Sequence, residues 1–135
     1  MLTENDVVEA VAAYLQGTGW HILQMCTTKE HGIDILAERQ GEKLAVEAKG
    51  GGSGTPGTRR YGSPFTNNQK RSHVAVALLT AARVVSEGSH GAGIALPSDE
   101  GHSLLIKQIW PALKMLGIRI FFVDPSRVVT EFDAE

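Results

Sequence analysis

The sequence predicts an α/β fold with a mixed sheet, and three observations predict it. Apolar residues recur at helical spacing in three segments. Short β-branched runs bounded by turn residues lie between them, and a hairpin signal joins two of those runs while helices separate the later ones. A hairpin sets strands antiparallel and a helical crossover sets them parallel, so this order implies a mixed sheet flanked by helices. At 135 residues and 42% hydrophobic content, the chain is long enough for one core and too short for two, and 1–135 is read as a single domain.

Thr3 is placed to cap the first helix, with Asp6 three residues later and Leu2 and Val7 at staple positions. Val8, Val11 and Leu15 continue the apolar stripe until Gly17 and Gly19 end it. Residues 20–25 read as a strand. Two further strands, 33–38 and 43–49, are joined around Gln40-Gly41 in a tight hairpin. Residues 50–64 are too rich in Gly and Pro for a regular element, and a connection of this length is usually functional or disordered. Val74, Ala77, Leu78, Ala81 and Val85 form the stripe of a second long helix starting near Asn67 or Asn68. Residues 93–96 read as a short buried strand stopped by Pro97, 104–116 as a helix that Pro111 should kink or divide, and 118–123 as a last strand. The expected order is αβββαβαβ, with no internal repeat.

Composition excludes some classes. The longest apolar stretch, 74–85, is interrupted by Thr80 and Arg83 and falls short of the roughly 20 residues needed to span a bilayer. The acidic start lacks the features of a secretory signal, and a lone cysteine, Cys26, suits a reducing compartment, so a cytoplasmic protein is expected. The net charge of −2 conceals an uneven distribution. From Lys49 to Arg83 inclusive there are six basic residues and no acidic one, which leaves the remainder of the chain at −8. Local charge is what a phosphate backbone meets, and Arg59, Arg60, Lys70 and Arg71 are the expected contacts.

The hairpin carries the chemistry. With its centre between Gln40 and Gly41, paired residues have numbers summing to 81. Ile33, Ile35 and Ala37 then share an apolar face with Leu44, Val46 and Ala48, while the other face sets Asp34 opposite Glu47 with Lys49 two residues further along. Opposed side chains have Cβ atoms about 4.5 to 5.5 Å apart, and like charges so placed destabilise a hairpin. A divalent cation, Mg²⁺ or Mn²⁺, would offset the repulsion, with Asp34 and Glu47 as its ligands. Lys49 beside it could orient an attacking water or stabilise charge on phosphorus. His21, Cys26 and His31 lack the paired spacing of a zinc site.

Gly32-Ile33-Asp34-Ile35 followed by Val46-Glu47-Ala48-Lys49-Gly50 resembles the signature of the PD-(D/E)xK nuclease superfamily, in particular its resolvase-like and Mrr-like branches. The resemblance covers roughly 3–85 and extends to 96 with the core elements. Ile33 stands where the family name has proline, a variable position among such enzymes. The resemblance implies a restriction-endonuclease-like αβββαβ core, here with an added C-terminal helix and strand. It also implies a metal-dependent endonuclease that hydrolyses DNA phosphodiester bonds. Family members often add a glutamate from the first helix; Glu4, on the stripe of Val8, Val11 and Leu15, is favoured over Glu9. Some relatives use a glutamine after the lysine motif, which would be Gln69, one turn before His73 on the second helix; His73 itself reads as structural. The expected catalytic set is Asp34, Glu47, Lys49, Glu4 and Gln69. Related nucleases are often dimers because two strands must be cut, and a homodimer is compatible with this chain. The alternative is a nucleic-acid-binding module that keeps the fold without turnover.

Overall fold

The computed structural model describes residues 1–26, 33–52 and 64–133. It is an α/β fold: a six-stranded mixed sheet with helices on both faces. The elements are α1 (Glu4–Gly17), β1 (His21–Met25), β2 (Ile35–Arg39), β3 (Glu42–Ala48), α2 (Asn67–Glu87), β4 (Gly91–Pro97), α3 (Glu100–Leu116), β5 (Arg119–Val123) and β6 (Val129–Glu131). In the sheet the strands follow sequence order. The β1–β2, β2–β3 and β5–β6 pairs are antiparallel; β3–β4 and β4–β5 are parallel and joined through α2 and α3.

The two-residue hairpin turn has both central residues at positive φ, Gln40 at 53° and Gly41 at 81°. This is the twist that matches right-handed strands, and it fixes the register. Ile35 pairs with Val46, Leu36 with Ala45 and Ala37 with Leu44, as the sum of 81 requires. Alternation then divides the sheet. Ile35, Ala37, Leu44, Val46, Ala48, Ala95, Phe121 and Val123 pack under α1 with Val7, Val8, Val11 and Leu15. On the opposite face Ala92, Ile94, Leu96, Ile120 and Phe122 pack under α2 and α3 with Val74, Ala77, Ala81, Ile106 and Leu113.

Capping sets the helix starts. Thr3 and Asp6 form a reciprocal capping box on α1, as do Thr66 and Gln69 on α2, each satisfying two otherwise orphaned amides. The expected strand 33–38 is corrected at its start. Pairing begins at Ile35, because the Ala48 N–H, which a continued ladder would give to the Ile33 carbonyl, is taken by Asp34 Oδ2 at 2.8 Å. The helix expected over 104–116 begins earlier, at Glu100, capped by Asp99, and it is not divided at Pro111. Pro111 and Lys107 are both exposed, so the carbonyl that loses its helical donor can be solvated instead. The final strand β6, absent from the expected order, pairs Val129, Thr130 and Glu131 with β5.

Candidate functional site

The site lies where β2 begins and β3 ends. Asp34 is buried, with 6% relative exposure. Its Oδ2 accepts from the Ala48 amide, and its own carbonyl accepts from Cys26 N–H at 2.8 Å. These bonds hold the carboxyl at the head of the hairpin. Glu47 projects from the penultimate residue of β3 and is half-buried. The face that carries the pair is not solvent-facing. α2 covers it, and Thr80, Ala81 and Val84 close over Glu47 beside Ile33, Ala45 and Val46.

Burial and confrontation show in the protonation of the site. The Glu47 carboxyl is pushed up to about 8, first by burial, then by a hydrogen bond with Asp34 and by its negative charge; Lys49 and a hydrogen bond from Thr80 oppose the rise. Without a cation the Glu47 carboxyl therefore keeps its proton at neutral pH, the usual resolution when like charges cannot both ionise. Lys49 follows β3, and its backbone N–H remains in the sheet through a 3.0 Å bond to Ala95 O. Its charge also acts on Glu4 and His73.

Glu4 reaches the same place from the other side of the sheet. Gly50 makes this possible: a Cβ there would fall on the Glu4 amide nitrogen and 2.7 Å from the Thr3 carbonyl carbon. The first turn of α1 thus rests directly on the chain leaving β3, and Gly51 N–H donates to Leu2 O at 2.8 Å. Although Glu4 is exposed as a residue, its carboxyl is raised, by desolvation first and by Asp34 second, against the lowering effect of Lys49. Glu9 belongs elsewhere. It faces Arg127, which also binds Asp6.

The remaining expected residues separate. Gln69 Oε1 accepts the Thr66 N–H at 2.8 Å, so its carboxamide oxygen serves the α2 capping box. Lys70, expected on a phosphate backbone, is instead bound to Asp99 at 3.0 Å and largely buried. The salt bridge gives it a partner inside the protein, so it is a poor source of free positive charge. Arg71 is exposed at the mouth of a groove between α2 and α3, with Asn67, Asn68 and Gln108. Arg59 and Arg60 lie outside the described residues, as do His31 and Gly32. Sequence reasoning missed Thr80, which had no signal beyond its place on α2, and His102, fully buried on α3. Among the described residues, no group of three or more His, Cys, Asp and Glu side chains is placed to hold a metal ion, and no helix is long and apolar enough to cross a membrane.

No family model and no curated protein matches the chain. Among solved structures it is similar to Pyrococcus furiosus SfsA in complex with Ca²⁺, with a TM-score of 0.42 and 17% identity over 90% of this chain. The chain spans 57% of that structure's length. A likeness of this degree assigns neither family nor function.

Proposed function

We propose that this protein is a metal-dependent nuclease that hydrolyses DNA phosphodiester bonds, on a restriction-endonuclease-like αβββαβ core extended by α3, β5 and β6. One observation carries the reading. Asp34 and Glu47 are held against each other in partial burial, with Glu4 and Lys49 within electrostatic reach. A fold gains nothing in stability from confronting two carboxyls, so the confrontation calls for a ligand.

The donor set suits Mg²⁺ or Mn²⁺. Such ions take oxygen ligands and are commonly held by one or two carboxylates, with water and phosphate oxygens completing the shell. Asp34 and Glu47 would hold the ion, which lowers the pKa of bound water and polarises the phosphoryl group. The proton on Glu47 would leave when that carboxyl becomes a ligand. Lys49 would place an ammonium against the phosphate, where negative charge grows as the nucleophile adds. Glu4 would accept a proton from an incoming water. Thr80 holds Glu47 from the α2 side, and Asp34 is fixed by the Ala48 amide. Arg71, with Arg59 and Arg60, would contact the backbone without reading bases.

The test is cleavage of linear duplex, single-stranded, flap and four-way-junction DNA, with an RNA control, across Mg²⁺, Mn²⁺ and chelator. Metal-dependent scission lost in Asp34→Asn is the expected result. Tight DNA binding without scission under any metal would overturn it in favour of a binding module. In the same binding series, Arg71→Ala should reduce the salt slope by about 1. Lys70→Ala should leave the slope unchanged, since Lys70 is already neutralised by Asp99.

A further inference from the structure

A polar groove opens beside the candidate site, between the first turns of α2 and α3. β3, β4 and β5 are parallel, and each helix returns from the carboxyl end of one strand to the start of the next. Both helices therefore begin at the end of the sheet that carries Glu47 and Lys49, on the face that α2 covers. The chain leaving Lys49 ties the two starts together. Gly51 O accepts the Phe65 N–H at 2.8 Å, two residues before α2, and a Cβ on Gly51 would lie 3.5 Å from Pro97 Cγ, three residues before α3. Gly101 leaves the space between the helices open, since a Cβ there would lie 2.9 Å from Lys70 Cδ and 3.2 Å from Asn67 Oδ1. The groove has a volume of about 730 Å³, within the range of small-ligand sites.

Charge and hydrogen bonding restrict what the groove can hold. Lys70 and Arg71 are balanced by Asp99 and Glu100, and Lys70 and Asp99 already neutralise each other at 3.0 Å. The helix starts are capped from within: Gln69 N–H donates to Thr66 Oγ1, and His102 N–H donates to Asp99 Oδ1. A run of phosphates would find little net attraction there and would meet Glu100. What the groove offers instead is carboxamides and an apolar wall. Asn67, Asn68 and Gln108 line it at exposed positions, and among the described residues their side chains and the Arg71 guanidinium enter no hydrogen bond or ion pair. Leu104, 56% exposed, and Leu105 supply apolar surface. A carboxamide presents a donor and an acceptor side by side, the pattern that pairs with a base edge, and apolar side chains suit the flat face of a ring. Bases are the uncharged part of a nucleic acid, and only unpaired ones can leave the stack to enter such a groove.

We propose that the α2–α3 groove receives unpaired nucleobases of the substrate strand, with Arg71 at its mouth holding a neighbouring phosphate. The proposal rests on the nuclease reading for the identity of the strand. It adds that the substrate carries unpaired bases beside the scissile bond, as a flap, branch or single strand does and a continuous duplex does not.

Short single-stranded DNA, with an abasic sugar–phosphate chain of the same length as its control, tests the groove on the full chain in chelator. The two probes carry the same backbone charge and differ only in bases. The base-bearing strand is expected to shift the side-chain NH₂ signals of Asn67, Asn68 and Gln108, and the abasic chain is expected to move Arg71 but not those amides. Equal amide shifts from both probes, or amides unmoved by either, would overturn the proposal. Asn68→Ala/Gln108→Ala, at exposed helix positions, should weaken the base-bearing strand by about 10-fold and the abasic chain by less than about twofold, the scale of losing one bidentate base contact. Arg71→Ala should weaken both probes alike. Gly101→Ala closes the groove in a second way, because its Cβ would displace the flexible ends of Lys70 and Asn67 while the helix gains a better helix former. Full affinity for the base-bearing strand in the double variant and in Gly101→Ala would sink the groove. A wild type that captures the base-bearing strand through these amides but cuts no DNA would refute the nuclease reading and leave the groove standing. One that cuts while the amides stay silent would refute the groove alone.

Discussion

At the end of the sheet where β3, β4 and β5 begin, Arg39 lies over the Trp20 ring at 4.4 Å and Arg119 at 5.6 Å. Arg119 binds Glu131 through two bonds of 2.8 and 2.9 Å, and Arg39 donates to Thr18 O. Cations there face rings, a carboxylate or a carbonyl. At the other end, Asp34 meets Glu47, with Glu4 raised beside them and Lys49 acting on the glutamates. Complementary charges tie strands and helix together and need no ligand. Like charges pressed together leave unfinished chemistry, and the contrast locates the candidate site more firmly than either cluster alone.

The largest effect expected from this contrast is on turnover. Lys49→Ala, Glu47→Gln and Asp34→Asn should each lower cleavage by about 100-fold or more, while Arg119→Ala at the far end leaves it near wild type. A wild-type rate in any of the first three, measured on folded protein, would erase the distinction between the ends.

Proton linkage gives the next effect. In the folded metal-free protein Glu47 keeps its proton up to about 8, whereas unfolded it ionises near 4.5. Its contribution to stability is full below 4.5 and is lost as pH rises through 8, at up to about 1.4 kcal/mol per pH unit between those values. His73 and His102, both lowered by burial from 6.5, act in the opposite sense: their contribution is full above 6.5 and falls away in acid. Denaturant unfolding from pH 7 to 9 in chelator therefore isolates Glu47. Wild type should lose stability across that range, and Glu47→Gln, which cannot ionise, should not. Parallel curves for the two proteins would mean that Glu47 does not hold a proton in the folded protein.

Asp34 sharpens the comparison further. Asp34→Ala leaves the buried Ala48 N–H without its acceptor and should cost about 1–3 kcal/mol. Asp34→Asn retains an oxygen for that bond and removes the negative charge that helps to keep Glu47 protonated, so metal-free melts should find it as stable as the parent or slightly better. The smallest effect belongs to the far end. Arg119 and Glu131 are each about one-third exposed, and Arg119→Ala should cost no more than about 1 kcal/mol, partly masked at high salt. A penalty there larger than that of Asp34→Ala would reverse the assignment of structural and functional ends.

Local chemistry made much of this legible in the sequence. Gln40-Gly41 dictates a two-residue turn, that turn dictates the register, and the register places Asp34 beside Glu47 without tertiary information. Thr3 and Asp6 likewise announce α1. Long-range contacts were not legible. That α2 would lay Thr80 over Glu47 and that Lys70 would be neutralised by Asp99 both depend on how α2 and α3 settle on the sheet. β6 escaped because three residues carry too little periodicity to distinguish a strand from a loop. The first turn of α3 escaped because its apolar stripe begins only after the cap, with Gly101 and His102 reading as loop.

The close approach at Gly50 has a consequence for folding. The hairpin that carries Asp34 and Glu47 closes through two residues, and hairpins of this kind form in about 1–10 μs. Glu4 joins it only when the beginning of the chain returns to Gly50 and Gly51, a contact between segments remote in sequence whose loop must be closed at an entropic cost. On that order the carboxyls would confront one another early, in a hairpin still open to water, and would be sealed in by later docking of α1 on one face and α2 on the other. Folding order thus lets the chain form its most repulsive contact while solvent still screens it.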